Sequence, residues 1–208
     1  MILAVTAAIA QAPQPAVFEI DYSNPQLAPA HWRIQLHEDG SGQFDAEGGP
    51  AIRETNGILA GDVHRAIQLS PKFTAMVFAT AREERLFAIP CESHLKVAFQ
   101  GTKRLSYSGP EGSGNCEFNY SRDKQIQALG DALQSVETTL LHGARLEKLL
   151  QHDRLGVDKE TEDLAAEAKS GSALELGVIR DVLTRIAGDD QILERARRRA
   201  RLLLGQIS

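Results

Sequence analysis

The chain carries two cysteines, Cys91 and Cys116, and whatever it folds into must either join them or keep both thiols reduced. The stretch around them reads as a β-meander. Leu95, Val97 and Phe99 alternate with Lys96, Ala98 and Gln100, and Gln100-Gly101-Thr102 supplies a turn. Leu105 and Tyr107 then alternate with Arg104 and Ser106. After the Gly-rich turn from Gly109 to Gly114, Cys116, Phe118 and Tyr120 alternate with Glu117 and Asn119. A period of two puts every second side chain on the same face of a strand. Extended backbone from Cys91 places its thiol with Leu95, Val97 and Phe99, and Cys116 sits with Phe118 and Tyr120. Both thiols then point into one core, and a Cys91–Cys116 disulfide is expected. Closing a loop of this size stabilises the fold by about 3 kcal/mol in the chain-entropy model.

Register sets a condition on that bond. In a plain meander Phe99 opposes Lys103 and Leu95 opposes Tyr107, which leaves Cys116 two strands from Leu95, about 9–10 Å away. A disulfide needs Cα atoms within about 7 Å. Either Pro90-Cys91-Glu92-Ser93 turns across the sheet, or the strands take another order. The competing chemistry is a Cys91 thiolate nucleophile with His94 as its base. On a strand, positions 91 and 94 point to opposite faces, so the two would meet only in a turn or a helix.

The N-terminus bears on the same choice, because disulfides persist in oxidising compartments. Ile2 to Ala10 is apolar and small, and Ala8-Ile9-Ala10 fits a cleavage site before Gln11. A Pro-rich stretch, Gln11-Ala12-Pro13-Gln14-Pro15, follows. The run lacks a preceding Lys or Arg and is short, as the tail end of a secretory signal would be. No cysteine follows it to carry a lipid. Residues 1–16 are therefore read as a leader, and the mature protein is expected to be exported.

Upstream of the meander, Val17 to Tyr22 is a candidate strand. In His31 to Glu38, Trp32, Ile34 and Leu36 share one face, and Arg33, Gln35 and His37 the other. Asp39-Gly40-Ser41-Gly42 turns the chain into a partner strand, Gln43 to Glu47, which Gly48-Gly49-Pro50 breaks. Val63 to Leu69 is a further strand. Ser70 as N-cap and Pro71 at the first helical position then open a helix with Phe73, Met76 and Val77 as its apolar stripe.

Past Ser121 the texture changes. Ile126, Leu129, Leu133, Val136 and Leu140 recur every three or four residues, marking one helix face. The stripe slips at Gly143 and resumes through Leu146, Leu149 and Leu150, giving one bent helix or two, ended by Gly156. Asp158 caps the next helix and Gly171 terminates it. Ser172-Ala173-Leu174-Glu175 matches a capping box for another, ending at Gly188. Asp189 caps a last one through Leu204. The expected fold class is α+β. An N-terminal antiparallel sheet with one helix spans residues 17–120, and an all-helical part of three to five helices spans 121–208, packed on or following the sheet.

Other candidate chemistry is outweighed by simpler roles. Glu38 to Gly42 with Asp45 hints at calcium, but Gly arrives too early for an EF-hand loop. Gly109 to Gly114 lacks the Lys-Ser/Thr ending of a phosphate loop and joins strands. Nor does Ser113 sit in a nucleophile elbow, since Glu111 stands two before it. The six histidines, His31, His37, His64, His94, His142 and His152, include no i,i+4 pair, and solvated histidines are expected. No metal, cofactor or catalytic set is indicated. Arg195, Arg197, Arg198, Arg199 and Arg201 form either an anion-binding face or, as expected here, a solvated helix face near a C-terminus.

The net charge of −5 argues against nucleic acid as a partner, since phosphate neutralisation drives that binding. No apolar run reaches the roughly 18 residues of a membrane helix. The leading functional expectation is a non-enzymatic exported protein with a binding or assembly role, with self-association through the long helix as its simplest form. A hydrolase-like enzyme whose site assembles only in the fold, and an intracellular regulator using the Arg-rich helix, are the alternatives.

Overall fold

Period-two burial builds the sheet. Val17–Ser23 (β1) turns Phe18, Ile20 and Tyr22 inward, and His31–His37 (β2) does the same with Trp32, Ile34 and Leu36. Ser41–Glu47 (β3) contributes Phe44 and Ala46, and Val63–Gln68 (β4) contributes Ile67. The computed structural model describes residues 15–47 and 62–207. The apolar leader run and the Gly48-Gly49-Pro50 break lie outside them. Pro71–Glu83 (α1) follows, with Ser70 as N-cap accepting from the Phe73 amide. Its buried face is Phe73, Thr74, Val77, Phe78 and Ala81, whereas Met76 points outward. The expected stripe was thus rotated by part of a turn. Thr102–Gly109 (β5) and Gly112–Phe118 (β6) complete a six-stranded antiparallel sheet in the order β4-β3-β2-β1-β5-β6.

That order corrects the meander. The neighbour of β5 is β1, with Tyr22 opposite Lys103 and Phe18 opposite Tyr107. Residues 88–101 form no strand. Left-handed backbone at Arg85, Leu86, Phe87 and His94 breaks the extended run that alternation suggested. Meanwhile β1 brings three fully buried apolar side chains into register with β5, a stronger partner than a segment that keeps bending.

One face of the sheet is covered and the other open. On the open face a row of charge runs across all six strands: Glu117, Arg104, Asp21, Arg33, Asp45 and His64 stand directly opposite one another in sequence of strands. The signs alternate from Glu117 to Asp45, and His64 ends the row. Arg33 reaches Asp45 at 3.2 Å and His64 reaches it at 2.8 Å. Opposite charges on facing residues contribute about 0.2–1 kcal/mol per pair, and a one-residue slip would move the row to the core face.

The covered face receives α1 and Lys124–His152 (α2), a single helix of 29 residues capped by Asp123 on the Gln125 and Ile126 amides. Ile126, Leu129, Leu133, Val136 and Leu140 pack on the sheet, while Leu146, Leu149 and Leu150 belong to a second core among the later helices. The slip in the stripe at Gly143 is this change of partner. A Cβ there would lie 2.3 Å from Ile179 Cγ2, so glycine is needed for the close approach.

Gly156–Ser170 (α3), Arg180–Gly188 (α4) and Glu194–Leu204 (α5) form the second core with the end of α2. Gly156 opens α3 instead of closing α2. Gly171 ends α3 in left-handed backbone, as expected. The capping box at Ser172 does not form. Glu175 is itself left-handed, and its carboxylate accepts from the Ser70 amide at 2.6 Å and from Ser70 Oγ at 2.8 Å. It completes the start of α1 from 105 residues away. A 3₁₀ turn, Leu176–Ile179, leads into α4. Asp189 stops short of α5 and instead bonds the Gln191 amide and Arg154.

Candidate functional site

Cys91 and Cys116 stand with their sulfurs 1.97 Å apart and Cα atoms 5.7 Å apart. Leu105 faces Cys116 on the inner side of β6, and the chain crosses the sheet end beside it, where the Ser93 amide bonds the Tyr120 carbonyl at 2.9 Å. The turn at Pro90 to Ser93 therefore solves the distance problem. Cys91 joins β6 from outside the sheet, and the pairing leaves no thiol for His94 to activate.

From this anchor the chain bulges outward. His94 to Gln100 is a run of seven consecutive exposed residues. Leu95, Val97 and Phe99, at 45%, 40% and 52% exposure, make three of the eight large apolar side chains that solvent reaches in the described residues. The bulge is pinned at its two ends and at Ala98. Glu92 accepts from the Asn119 amide at 2.7 Å, and Asn119 accepts from the Gln100 amide at 2.7 Å and donates to the Ala98 carbonyl at 3.2 Å. Tyr22 donates its hydroxyl to the Gln100 carbonyl at 2.7 Å. Gly101, left-handed and seated on the Tyr22 ring, returns the chain to β5. A Cβ at Gly101 would sit 2.3 Å from the Tyr22 hydroxyl, so the exit of the loop depends on glycine. The result is an anchored loop carrying three exposed large apolar side chains within five residues, and exposed apolar groups gathered in one segment mark an interaction surface.

Titratable groups gather elsewhere. His142 on α2 is buried, contrary to the solvated reading, with Nδ1 2.5 Å from Glu160 Oε1 and Nε2 2.9 Å from Glu167 Oε2. Arg145 also reaches Glu160, at 3.3 Å. Burial pulls the imidazole pKa down, but hydrogen bonds to Glu160 and Glu167 outweigh it and hold the pKa above its ordinary value. With a carboxylate oxygen beside each ring nitrogen, both are placed to donate, which is the geometry that favours an imidazolium. Half-buried Glu137 on the same helix has its pKa raised to about 8 by desolvation, reinforced by Glu167 and opposed by Arg145 and His142. The only sign of this cluster in the sequence was His142 on the helix; its acidic partners lie on α3 and needed the fold to find them.

The remaining sequence candidates separate. Glu38 pairs with Arg82, Asp39 bonds the Ser41 amide and hydroxyl, and Asp45 lies on the open face, so no calcium loop assembles. In the Gly109 to Gly114 turn, Glu111 is held by Arg82 at 2.8 Å and by the Tyr107 hydroxyl. His31 pairs with Asp21 at 3.0 Å, His37 borders the turn, and His94 and His152 are exposed. Four of the five C-terminal arginines are spent on carboxylates: Arg195 and Arg199 on Asp158, Arg197 and Arg201 on Glu194. Among the described residues no group of three or more His, Cys, Asp or Glu is placed to hold a metal ion. None of their helices is long and apolar enough to cross a membrane.

Lys103 was missed. It lies on the inner face of β5, 0% exposed, with Nζ 5.7 Å from the centre of the Phe118 ring and no hydrogen-bond partner. Burial lowers its pKa, opposed by Asp131. A Cβ at Gly130 would come within 2.9 Å of its stem, so α2 makes room for it. The alternation Lys103, Leu105, Tyr107 was the available signal.

No family model matches this chain, and no curated protein matches it.

Proposed function

We propose that this chain is an exported, non-enzymatic protein with a binding or assembly role, docking on a protein partner through residues 94–100. The observation that carries the reading is the anchored loop with its three exposed apolar side chains. Covering the exposed parts of Leu95, Val97 and Phe99 contributes about 3 kcal/mol at ordinary transfer values, before the cost of association. A loop already held by a disulfide and by Asn119 loses little further freedom on binding. The joined cysteines and the leader-like residues 1–16 support an oxidising destination. Because the α2 stripe is consumed inside the chain, self-association in this reading runs through the loop, and a second copy is the first partner to test.

Two measurements test it. Non-reducing intact mass with thiol alkylation, on protein from its natural host, should show a cleaved N-terminus and no free thiol. Retained Met1 with two labelled cysteines would overturn export. Sedimentation of the native chain and of Phe99→Asp at several concentrations should show association lost in the variant, and a strict monomer would remove self-association.

A further inference from the structure

The two cores meet beside a cleft of 580 Å³ bounded by the end of β4, the start of α1, the loop after α3, the start of α4 and the residues after α5. Its volume is that of a small-molecule site, and such sites recur where packed units join. Pro71 and the half-buried Ile207 give it accessible apolar surface, above the buried Leu69 and Leu176. Most of its polar groups are already committed. Gln68 donates to the Asp39 carbonyl at 2.8 Å, and Ser70 and Glu175 satisfy each other. Arg180 differs. Its exposed guanidinium takes part in no ion pair or hydrogen bond among the described residues; Arg85, Arg122, Arg185 and Arg198 are likewise unpaired, and of these five Arg180 is the one that lines the cleft.

We infer that this cleft binds a small monocarboxylate with a short aliphatic tail, its carboxylate on Arg180 and its tail against Pro71 and Ile207. A planar guanidinium presents parallel donors that match a carboxylate. One cation balances one negative charge. A phosphate monoester brings about two at neutral pH, one more than Arg180 can match, and the Glu175 carboxylate lining the same cleft penalises the larger charge more. The apolar lining selects for a tail over a bare ion. This site is separate from the loop at 94–100 and does not depend on the role proposed for it.

The test titrates hexanoate, hexanol and hexylamine against the ¹⁵N-labelled full chain, following the amides of Gly177, Arg180 and Ile207. Hexanoate should saturate with a Kd about tenfold below that of hexanol, the factor expected of one charge-assisted contact. Arg180→Met should erase that advantage and leave hexanol unchanged, and Arg180→Lys should restore part of it. Phe99→Asp should bind hexanoate like the native chain. Equal binding of alcohol or amine, native-like hexanoate binding by Arg180→Met, or no saturable shift at these amides would each overturn the site.

Discussion

Replacing His142 by leucine isolates the buried imidazolium. The native ring faces Glu160, itself mostly buried, at 2.5 Å, and Glu167, which is 39% exposed, at 2.9 Å. Removing one member of a buried pair costs about 3–5 kcal/mol, because the other charge stays behind uncompensated. Arg145 remains 3.3 Å from Glu160 and takes up part of that charge, which argues for the lower end. The Glu167 contact, screened by solvent, adds under about 1 kcal/mol. The expected loss for His142→Leu is therefore about 3 kcal/mol at pH 6, measured by urea unfolding with the disulfide intact. The pH dependence has a definite sign. A histidine whose pKa is raised on folding stabilises fully below its unfolded value near 6.5, and that stability is lost as pH rises through the folded value. The His142 contribution to stability should fall from about pH 6.5 upward, and the gap between native and variant should close with it. Glu137 pushes the same way in both chains, since a carboxyl held at about 8 in the fold binds a proton that the unfolded chain releases near 4.5. A gap that stays constant between pH 6 and pH 9, or that measures under about 1 kcal/mol at pH 6, would refute the imidazolium assignment.

Two further outcomes follow from burial and chain topology. Cys91→Ser with Cys116→Ser opens a loop with a sequence separation of 25, for which the chain-entropy model expects a loss of about 3.5 kcal/mol, read as a lowered urea midpoint. Lys103→Met replaces an unpartnered buried amine by an apolar chain of similar shape and should stabilise by about 1–3 kcal/mol; a destabilised variant would show that the amine is satisfied in solution.

The parts of the fold that were legible are those where local pattern and tertiary environment agree. Trp32, Ile34 and Leu36 alternate because one sheet face is buried, and Ser70-Pro71 opens α1 by its own chemistry. The 95–99 alternation misled because period two marks extended side-chain geometry without saying which strand will pair. Position decided there: β1, distant in sequence, took the slot beside β5. Ser172 to Glu175 failed similarly, because a carboxylate three residues from a serine satisfies a local rule but found a distant amide in better reach. Such long-range partners, like Glu160 and Glu167 for His142, leave no spacing to read.

The reach of Glu175 to Ser70 also has a consequence for how the chain is made. Strands emerge from synthesis first, yet part of their inner face stays bare until Ile126 to Leu141 has arrived, and the Ser70 amide at the start of α1 lacks its acceptor until residue 175 appears. Residues up to 175 must therefore be released before this arrangement becomes reachable.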